Sequence, residues 1–169
     1  MSKKNLGGTM KIAILADTHM RKGRKLPEFV WETLAEVDTI LHAGDIVTET
    51  HLKELESLAP VVAVRGNGDW LIDGLPEKAV FQLGQFKIGM THGHEGSGKT
   101  TPQKALSTFA QDRVDIIIFG HSHTPYKSYT SGILLFNPGS PTERRRSEFH
   151  SFGIMTIQDN QFDIQHVFF

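Results

Sequence analysis

The stretch KIAILADTH, residues 11–19, decides the fold of this chain. Its unbroken apolar run at 12–16 is typical of a strand that is buried on both faces. Asp17-Thr18-His19 follows directly, so a carboxylate and an imidazole stand where the strand ends. In α/β proteins, functional sites form at the carboxyl ends of parallel strands. We therefore predict a buried first strand whose carboxyl end faces a functional site.

The same unit recurs along the chain. Short apolar runs, each followed by a turn that contains Gly, Asp or His, lie at 39–41, 61–64, 87–90 and 116–119. Additional runs without an intervening helical pattern lie at 79–83, 133–136, 152–157 and 162–168, with a turn signal at Asp159-Asn160. This mixture predicts two packed sheets flanked by helices.

Three segments show apolar residues at helical spacing. The third helix is predicted to begin with Thr101 as its N-cap and Pro102 as its first helical residue. The apolar positions of the three faces are Leu26, Phe29, Val30, Leu34 and Val37, then Leu52, Leu55 and Leu58, then Ala105, Leu106, Phe109 and Ala110.

Composition narrows the function classes. The 169 residues include no cysteine, which excludes disulfides, thiolate metal sites and a cysteine nucleophile. Eighteen Lys and Arg residues against 19 Asp and Glu residues give a net charge of −1, so no global charge attracts nucleic acid or an anionic membrane. With no membrane-length apolar run and a polar start, MSKKNLGGT, we expect a cytoplasmic protein with no membrane association. We expect residues 1–9 to be a disordered leader or a non-native remnant, and residues 10–169 to form one domain.

Five strand ends carry side chains of the kind that bind metals. These ends are Asp17-Thr18-His19, His42-Ala43-Gly44-Asp45, Gly66-Asn67-Gly68-Asp69, His92-Gly93-His94 and Gly120-His121-Ser122-His123. Parallel strands joined by right-handed crossovers bring such ends to one edge, so we expect them to converge. Imidazole, carboxylate and carboxamide ligands suit Mn²⁺, Fe, Co or Zn²⁺, and the ligands are too many for one ion. Two ions are implied, and Asp45 is the natural bridge because neighbouring cations need an anionic oxygen between them.

The motif series D-x-H, G-D, G-N-x-D, H-G and G-H-x-H resembles the calcineurin-like metallophosphoesterase superfamily. The short chain is similar to its small bacterial and archaeal phosphodiesterases, and the resemblance covers residue 10 to about residue 140. It implies a four-layer αββα sandwich of two mixed β-sheets, with the turn N-P-G-S at 137–140 beside the site. The implied ligands are Asp17, His19, Asp45 and His123 for one metal, and Asp45, Asn67, His92 and His121 for the other.

The implied activity is hydrolysis of a small-molecule phosphoester, with a diester expected first, by a hydroxide that bridges two divalent metal ions. Manganese is the first expectation, with nickel, iron, zinc, cobalt or magnesium as alternatives. The same resemblance leaves open a protein-binding scaffold of this fold, as in the retromer subunit. A homo-oligomer is also left open, because the apolar C-terminal strand could pack inside or form a dimer contact.

Two departures from the family pattern concern catalysis. Much of the superfamily has a histidine where Gly68 stands, so Asp69 has no imidazole to orient, and Thr48 replaces a second acid. His94 is then a candidate to protonate the leaving group, beside Asp45 and Asn67 as catalytic residues. His42 is expected to pack or hydrogen-bond beneath the site rather than bind metal.

Candidate substrate-binding residues come from basic positions near these motifs. Arg65 precedes the Asn67 turn, Arg144 opens the run 144–146, and Lys99 ends a Gly-rich loop. That loop, residues 93–100, also matches the P-loop pattern G-x-x-x-x-G-K-[ST] and so offers a nucleotide-binding alternative. A P-loop enzyme needs an acid at the end of a later strand, whereas the run 115–119 ends in Gly-His-Ser-His. The loop is therefore interpreted as the rim of a phosphoester site.

Overall fold

Residues 8–169 are described here from a computed structural model. In chain order the elements are β1 (Met10–Leu15), α1 (Glu28–Leu34), β2 (Thr39–His42), α2 (Glu49–Glu56), β3 (Val61–Ala63), β4 (Lys78–Leu83), β5 (Phe86–Thr91), α3 (Thr101–Thr108), β6 (Ile116–Ile118), β7 (Tyr126–Thr130), β8 (Ile133–Asn137), β9 (Ser151–Gln158) and β10 (Gln161–Phe168). Most of the predicted leader, residues 1–7, lies outside the described residues. That leader and the single domain at 10–169 stay predictions.

The strands form two mixed sheets of five strands each. The first has the order β10-β9-β1-β2-β3, in which β1, β2 and β3 are parallel and β9 and β10 are antiparallel additions. The second has the order β4-β5-β6-β8-β7, with a parallel centre of β5, β6 and β8 between two antiparallel edge strands. The predicted functional strand ends are thus divided between two sheets.

Alternation within the strands builds the layers. In β1, Ile12 and Ile14 face the core between the sheets, where they join Ile116, Ile118 and Phe136 of the second sheet. The intervening Ala13 and Leu15 face a second cluster that includes Val30 and Leu34 of α1 and Leu55 of α2. A third cluster packs Ala105 and Phe109 of α3 onto the outer face of the second sheet. The result is the predicted four-layer αββα sandwich.

Three details differ from the sequence-based expectations. Phe29, placed on the buried face of the first helix, is 48% exposed and instead contacts the ring of Phe169 at 5.6 Å between centroids. Thr100, not Thr101, is the N-cap of α3, because its hydroxyl accepts the Gln103 amide. Strand β7 has the sequence YKSYT, whose polar residues gave no apolar run to detect.

Among residues 8–169, no helix combines the length and apolar character needed to cross a bilayer.

Candidate metal centre

The parallel strand ends of both sheets meet in one buried cluster of carboxylates and imidazoles. Asp17 Oδ1 lies 3.6 Å from His123 Nε2 and 3.7 Å from His92 Nε2. Asp45 Oδ2 lies 3.3 Å from His19 Nε2 and 3.4 Å from His92 Nε2. Strand ends from the first sheet, Asp17 and Asp45, therefore face strand ends from the second sheet.

Two carboxylates are shared within this cluster. Asp17 belongs to a triad with His19 and His123 and also to a triad with Asp45 and His92, and in each triad the ligand atoms lie within 4.8 Å of one another. Asp45 contacts one imidazole from each of the two predicted ligand sets, His19 and His92. The second shared carboxylate, Asp17, was not anticipated from the sequence.

Within residues 8–169, the atoms that face the centre of the cluster have no hydrogen-bond partner. In this described part of the chain, both carboxylate oxygens of Asp17 are buried without a hydrogen bond, as are the Nε2 atoms of His19, His92 and His123. Buried polar atoms are costly to leave unpaired, and several that converge on one point need a common partner. Carboxylate oxygens and imidazole nitrogens fit a divalent cation of the Mn, Fe, Co or Zn type. The residues thus satisfy the chemical requirement for metal ligands.

The opposite ring nitrogens fix the orientation of two imidazoles. His92 Nδ1 lies 2.8 Å from the carbonyl oxygen of Ala43, and His123 Nδ1 contacts the carbonyl oxygen of Glu143. When such a ring is neutral and donates from Nδ1 to a carbonyl, its Nε2 carries no proton, and this is the form that binds a cation. These bonds prepare both Nε2 atoms for coordination.

The backbone at the strand ends is unusual. Five of the seven predicted ligands have a left-handed φ: Asp17 (54°), His19 (42°), Asp45 (60°), His121 (72°) and His123 (61°). Residues other than glycine adopt this region at an energetic cost, and such residues concentrate at functional sites. Four of these five residues, all except His121, belong to the two triads of ligand atoms.

Asp69 and His42 support the cluster from beneath. Asp69 is buried and accepts the amides of Asp45 and Gly66 at its Oδ2 and the amide of Val47 at its Oδ1, each at 2.8 Å. Its carboxylate therefore organises backbone rather than facing the ligand atoms. His42 is fully buried, hydrogen-bonds the Thr18 hydroxyl and accepts the Gly44 amide, which confirms the prediction that it lies under the site.

Burial and the charges of neighbouring groups shift the pKa values of the carboxylates and imidazoles at this site. Burial raises the pKa of Asp17 to about 7, and the charge of Asp45 adds to this effect. Burial also acts on Asp45, but the imidazole of His92 and the Gly68 amide outweigh it and hold the pKa of Asp45 well below its usual range. Burial acts to lower the pKa of His92, but the carboxylates of Asp45 and Asp17 outweigh it and raise this pKa. Burial lowers the pKa values of His121 and His123 to about 4, so both rings are neutral near pH 7.

The other predicted site residues stand at different distances from the cluster. The His121 ring lies 5.2 Å from that of His92, and the His94 ring lies 5.3 Å from His92 and 6.0 Å from His121, all between centroids. Asn67 is exposed on a turn whose next residue, Gly68, donates its amide to Asp45 Oδ1 at 2.7 Å. His121, His94 and Asn67 thus border the cluster without belonging to its tight triads.

The structure does not bring the three predicted substrate-binding residues into the cluster. Arg65 donates from Nη2 to the carbonyl of Ile72, and Arg144 donates from Nη1 to the carbonyls of Ser147 and Glu148. The amide of Lys99 bonds to the side chain of Gln103. Arg145 was not singled out from its run of three arginines, yet its charge acts on Asp17 and on three of the histidines.

In the Gly-rich loop that resembles a P-loop, residues 93–100, several polar groups hydrogen-bond within the protein. Thr100 and Gln103 form a capping box, in which the Thr100 hydroxyl accepts the Gln103 amide and the Gln103 side chain accepts the Thr100 amide. The hydroxyl that a P-loop offers to Mg²⁺ and two of its amides are therefore engaged in capping α3. Local geometry does not favour nucleotide binding here.

Comparison with known proteins agrees with this site. Residues 10–160 match the Calcineurin-like phosphoesterase superfamily domain. The chain belongs to this superfamily. A probable metallophosphoesterase of Methanocaldococcus jannaschii is 40% identical over 141 residues, which cover 83% of this chain and 72% of that protein. A protein of the same organism named as a phosphodiesterase is 31% identical over 147 residues, which cover 77% of this chain and 83% of that protein.

The superfamily fold is also found among solved structures. Vacuolar protein sorting 29 of Cryptosporidium parvum superposes with a TM-score of 0.80 at 23% identity, and the match covers 95% of this chain and 98% of that one. At this identity the likeness concerns the calcineurin-like fold alone.

Proposed function

We propose that this calcineurin-like protein is a phosphodiesterase that requires two divalent metal ions. The observation that carries the proposal is the convergence of unpaired, buried ligand atoms from Asp17, His19, His92 and His123 on one centre that Asp45 borders. The name of the archaeal relative as a phosphodiesterase supports a diester as the substrate.

Each side chain has an assigned role in this proposal. Asp17, His19, Asp45 and His123 hold one ion, while Asp45, Asn67, His92 and His121 hold the other. Bound divalent ions supply an activated water nucleophile and neutralise the charge that builds up on phosphoryl oxygens. Manganese is the proposed metal, and nickel, iron, zinc, cobalt and magnesium are the alternatives to be compared.

The leaving group needs a proton donor that Gly68 does not supply. His94 is the proposed donor, because its ring lies beside those of His92 and His121 and its Nδ1 is buried with no hydrogen-bond partner among residues 8–169. Its Nε2 lies 3.7 Å from a carboxylate oxygen of Glu95, which can hold the ring in place. A proton on Nδ1 of His94 would then pass to the departing ester oxygen.

The test combines elemental analysis with an assay of bis(p-nitrophenyl) phosphate hydrolysis. We expect metal-stripped protein to be inactive, and Mn²⁺ to restore both bound metal and turnover in parallel. The same assay separates the enzyme from a protein-binding scaffold of this fold, which would retain its partner surface without turnover. Protein that binds no metal and stays inactive with every cation tried would refute the proposal.

A further inference from the structure

Two basic segments border the metal centre. They are residues 19–27, HMRKGRKLP, and residues 140–147, SPTERRRS, and together we call them the basic rim. These 17 residues contain seven of the 18 Lys and Arg residues and one of the 19 Asp and Glu residues. The remainder of the chain carries 11 basic and 18 acidic residues, so the near-neutral total conceals a strongly cationic region.

Hydrogen bonds fasten the two segments to each other and to the centre. Ser140 Oγ donates to the carbonyl of Asp17 at 2.8 Å, and Thr142 Oγ1 donates to the carbonyl of Thr18 at 2.7 Å. Arg24 Nη1 donates to Glu143 Oε1 at 2.8 Å. Side chains far apart in sequence are thereby collected along one side of the predicted ligands.

Most of this positive charge is unpaired. Glu143, the one acid of the rim, is engaged by Arg24, and Arg144 is directed to the carbonyls of Ser147 and Glu148. The remaining cations are all exposed, and within residues 8–169 their side chains have no hydrogen-bond or ion-pair partner; they are Arg21, Lys22, Lys25, Arg145 and Arg146.

The rim contacts two of the predicted ligand residues directly. Arg24 Nη1 donates to the carbonyl oxygen of His19 at 3.2 Å, and Nδ1 of His123 contacts the carbonyl oxygen of Glu143. Arg21 follows His19 by two residues, and Arg145 follows Glu143 by two residues. The exposed cations therefore belong to short segments whose backbone touches the predicted metal ligands.

The scissile phosphate does not account for these cations. A phosphodiester carries a single negative charge, and two divalent ions already outweigh Asp17 and Asp45. Exposed arginines and lysines with no partner beside a phosphate site are suited to bind further phosphate oxygens.

We propose that the basic rim binds a second phosphate group, so that the preferred substrate is a phosphodiester carrying at least one phosphate besides the scissile one. This inference rests on the proposed phosphodiesterase activity and names its substrate class. Nucleoside bisphosphate esters and oligonucleotides share this chemistry.

A matched pair of chromogenic esters tests the proposal. Thymidine 5′-(p-nitrophenyl phosphate) has one phosphate, and its 3′-phosphorylated form differs only by the second group. We expect KM to be lower for the 3′-phosphorylated ester by about 5-fold or more, the effect of about 1 kcal/mol from exposed charge pairs. The difference should shrink in high salt, because exposed charges are screened. Equal KM values with normal turnover would overturn the inference and leave the phosphodiesterase proposal intact.

Variants locate the effect. The double substitution Arg21→Gln and Arg145→Gln keeps a polar side chain but removes two charges, and should bring the KM ratio of the two esters close to one. Arg113→Gln is the matched control, because Arg113 is exposed and precedes β6, at the strand end opposite His121. This control should keep the wild-type ratio. An unchanged ratio in the double variant would show that the rim is not the binding site.

A binding measurement still tests the inference if the protein hydrolyses neither thymidine ester, and the bis(p-nitrophenyl) phosphate assay then tests the phosphodiesterase proposal separately. Calorimetry on metal-free protein should show tighter binding of thymidine 3′,5′-bisphosphate than of thymidine 5′-phosphate, with the difference lost in the double variant. Equal binding would overturn the inference. Di- and tetranucleotides distinguish the two sources: KM that falls further with each added phosphate indicates an oligonucleotide, and KM that stays level indicates a small bisphosphate.

Discussion

The carboxylate of Asp69 holds the backbone of Asp45: Oδ2 accepts the Asp45 amide at 2.8 Å. The same group accepts the amides of Gly66 and Val47, so one buried side chain fixes the turns that follow β2 and β3. The acid of the G-N-x-D pattern therefore positions the backbone of Asp45. It has this role even though Gly68 stands where much of the superfamily has a histidine for that acid to orient.

This arrangement predicts that Asp69→Asn weakens metal binding although Asp69 faces no ligand atom. An asparagine side chain offers an NH₂ group where three amides need acceptors, so at least one amide loses its bond. We expect Mn²⁺ affinity to fall about 10- to 100-fold, as for residues that support metal ligands. Calorimetric titration of the metal-free variant measures the change. An affinity equal to that of the wild type would show that Asp45 does not depend on Asp69.

Asp45→Asn is predicted to remove both metal retention and turnover. Asp45 stands between His19 and His92, and a neutral carboxamide cannot offset the repulsion between two neighbouring cations. Elemental analysis measures the metal retained by the variant, and the phosphodiester assay measures its turnover. Asp73→Asn is the control, since Asp73 is exposed and should leave both unchanged. Full activity in metal-analysed Asp45→Asn protein would contradict the bridging role.

His121→Ala and His123→Ala are predicted to lower metal content separately. The two rings belong to different proposed ion sites, and their pKa values of about 4 make both neutral ligands at pH 7. Each variant should lose close to one equivalent of metal and keep the other. Loss of both ions from either variant would indicate that the two sites do not fill independently.

Metal affinity is predicted to rise with pH. In the metal-free protein the pKa of Asp17 is about 7, so below that pH a proton must leave before the carboxylate can coordinate. One such proton makes Mn²⁺ binding about tenfold weaker at pH 6 than at pH 8. The raised pKa of His92 acts in the same direction, whereas His121 and His123 are already neutral. Calorimetric titrations with Mn²⁺ in two buffers that differ in ionisation enthalpy give the number of protons released on binding. An affinity that does not change with pH, with no proton release, would contradict this prediction.

The layered fold and the meeting of polar strand ends could be predicted because each rests on local pattern. Continuous apolar runs identified β1 and β6, and the residues that follow them were the candidate ligands. The sandwich itself is confirmed by the structure and by its structural relatives. Strand β7 was missed because an edge strand with a polar sequence lacks that pattern.

Other features of the site depend on tertiary contacts that a sequence does not display. Asp17 is shared between two triads because the second sheet brings His92 and His123 to the same carboxylate. Aspartate is one of the residue types that tolerate a left-handed φ, as at Asp17 and Asp45. The sequence alone does not predict that five predicted ligands with such φ values lie at neighbouring strand ends. The sequence does not distinguish Arg144 from Arg145, which are adjacent arginines. The folded turn after Ser140 directs Arg144 to the carbonyls of Ser147 and Glu148 and brings the charge of Arg145 close enough to act on Asp17.

The bond from Ser140 to the carbonyl of Asp17 spans 123 positions of the chain. A nascent polypeptide on the ribosome therefore exposes its first aspartate long before the turn that braces it has been translated. If the proposed function holds, the metal site is completed late in biosynthesis, and protein truncated before residue 140 should bind Mn²⁺ more weakly than the full chain.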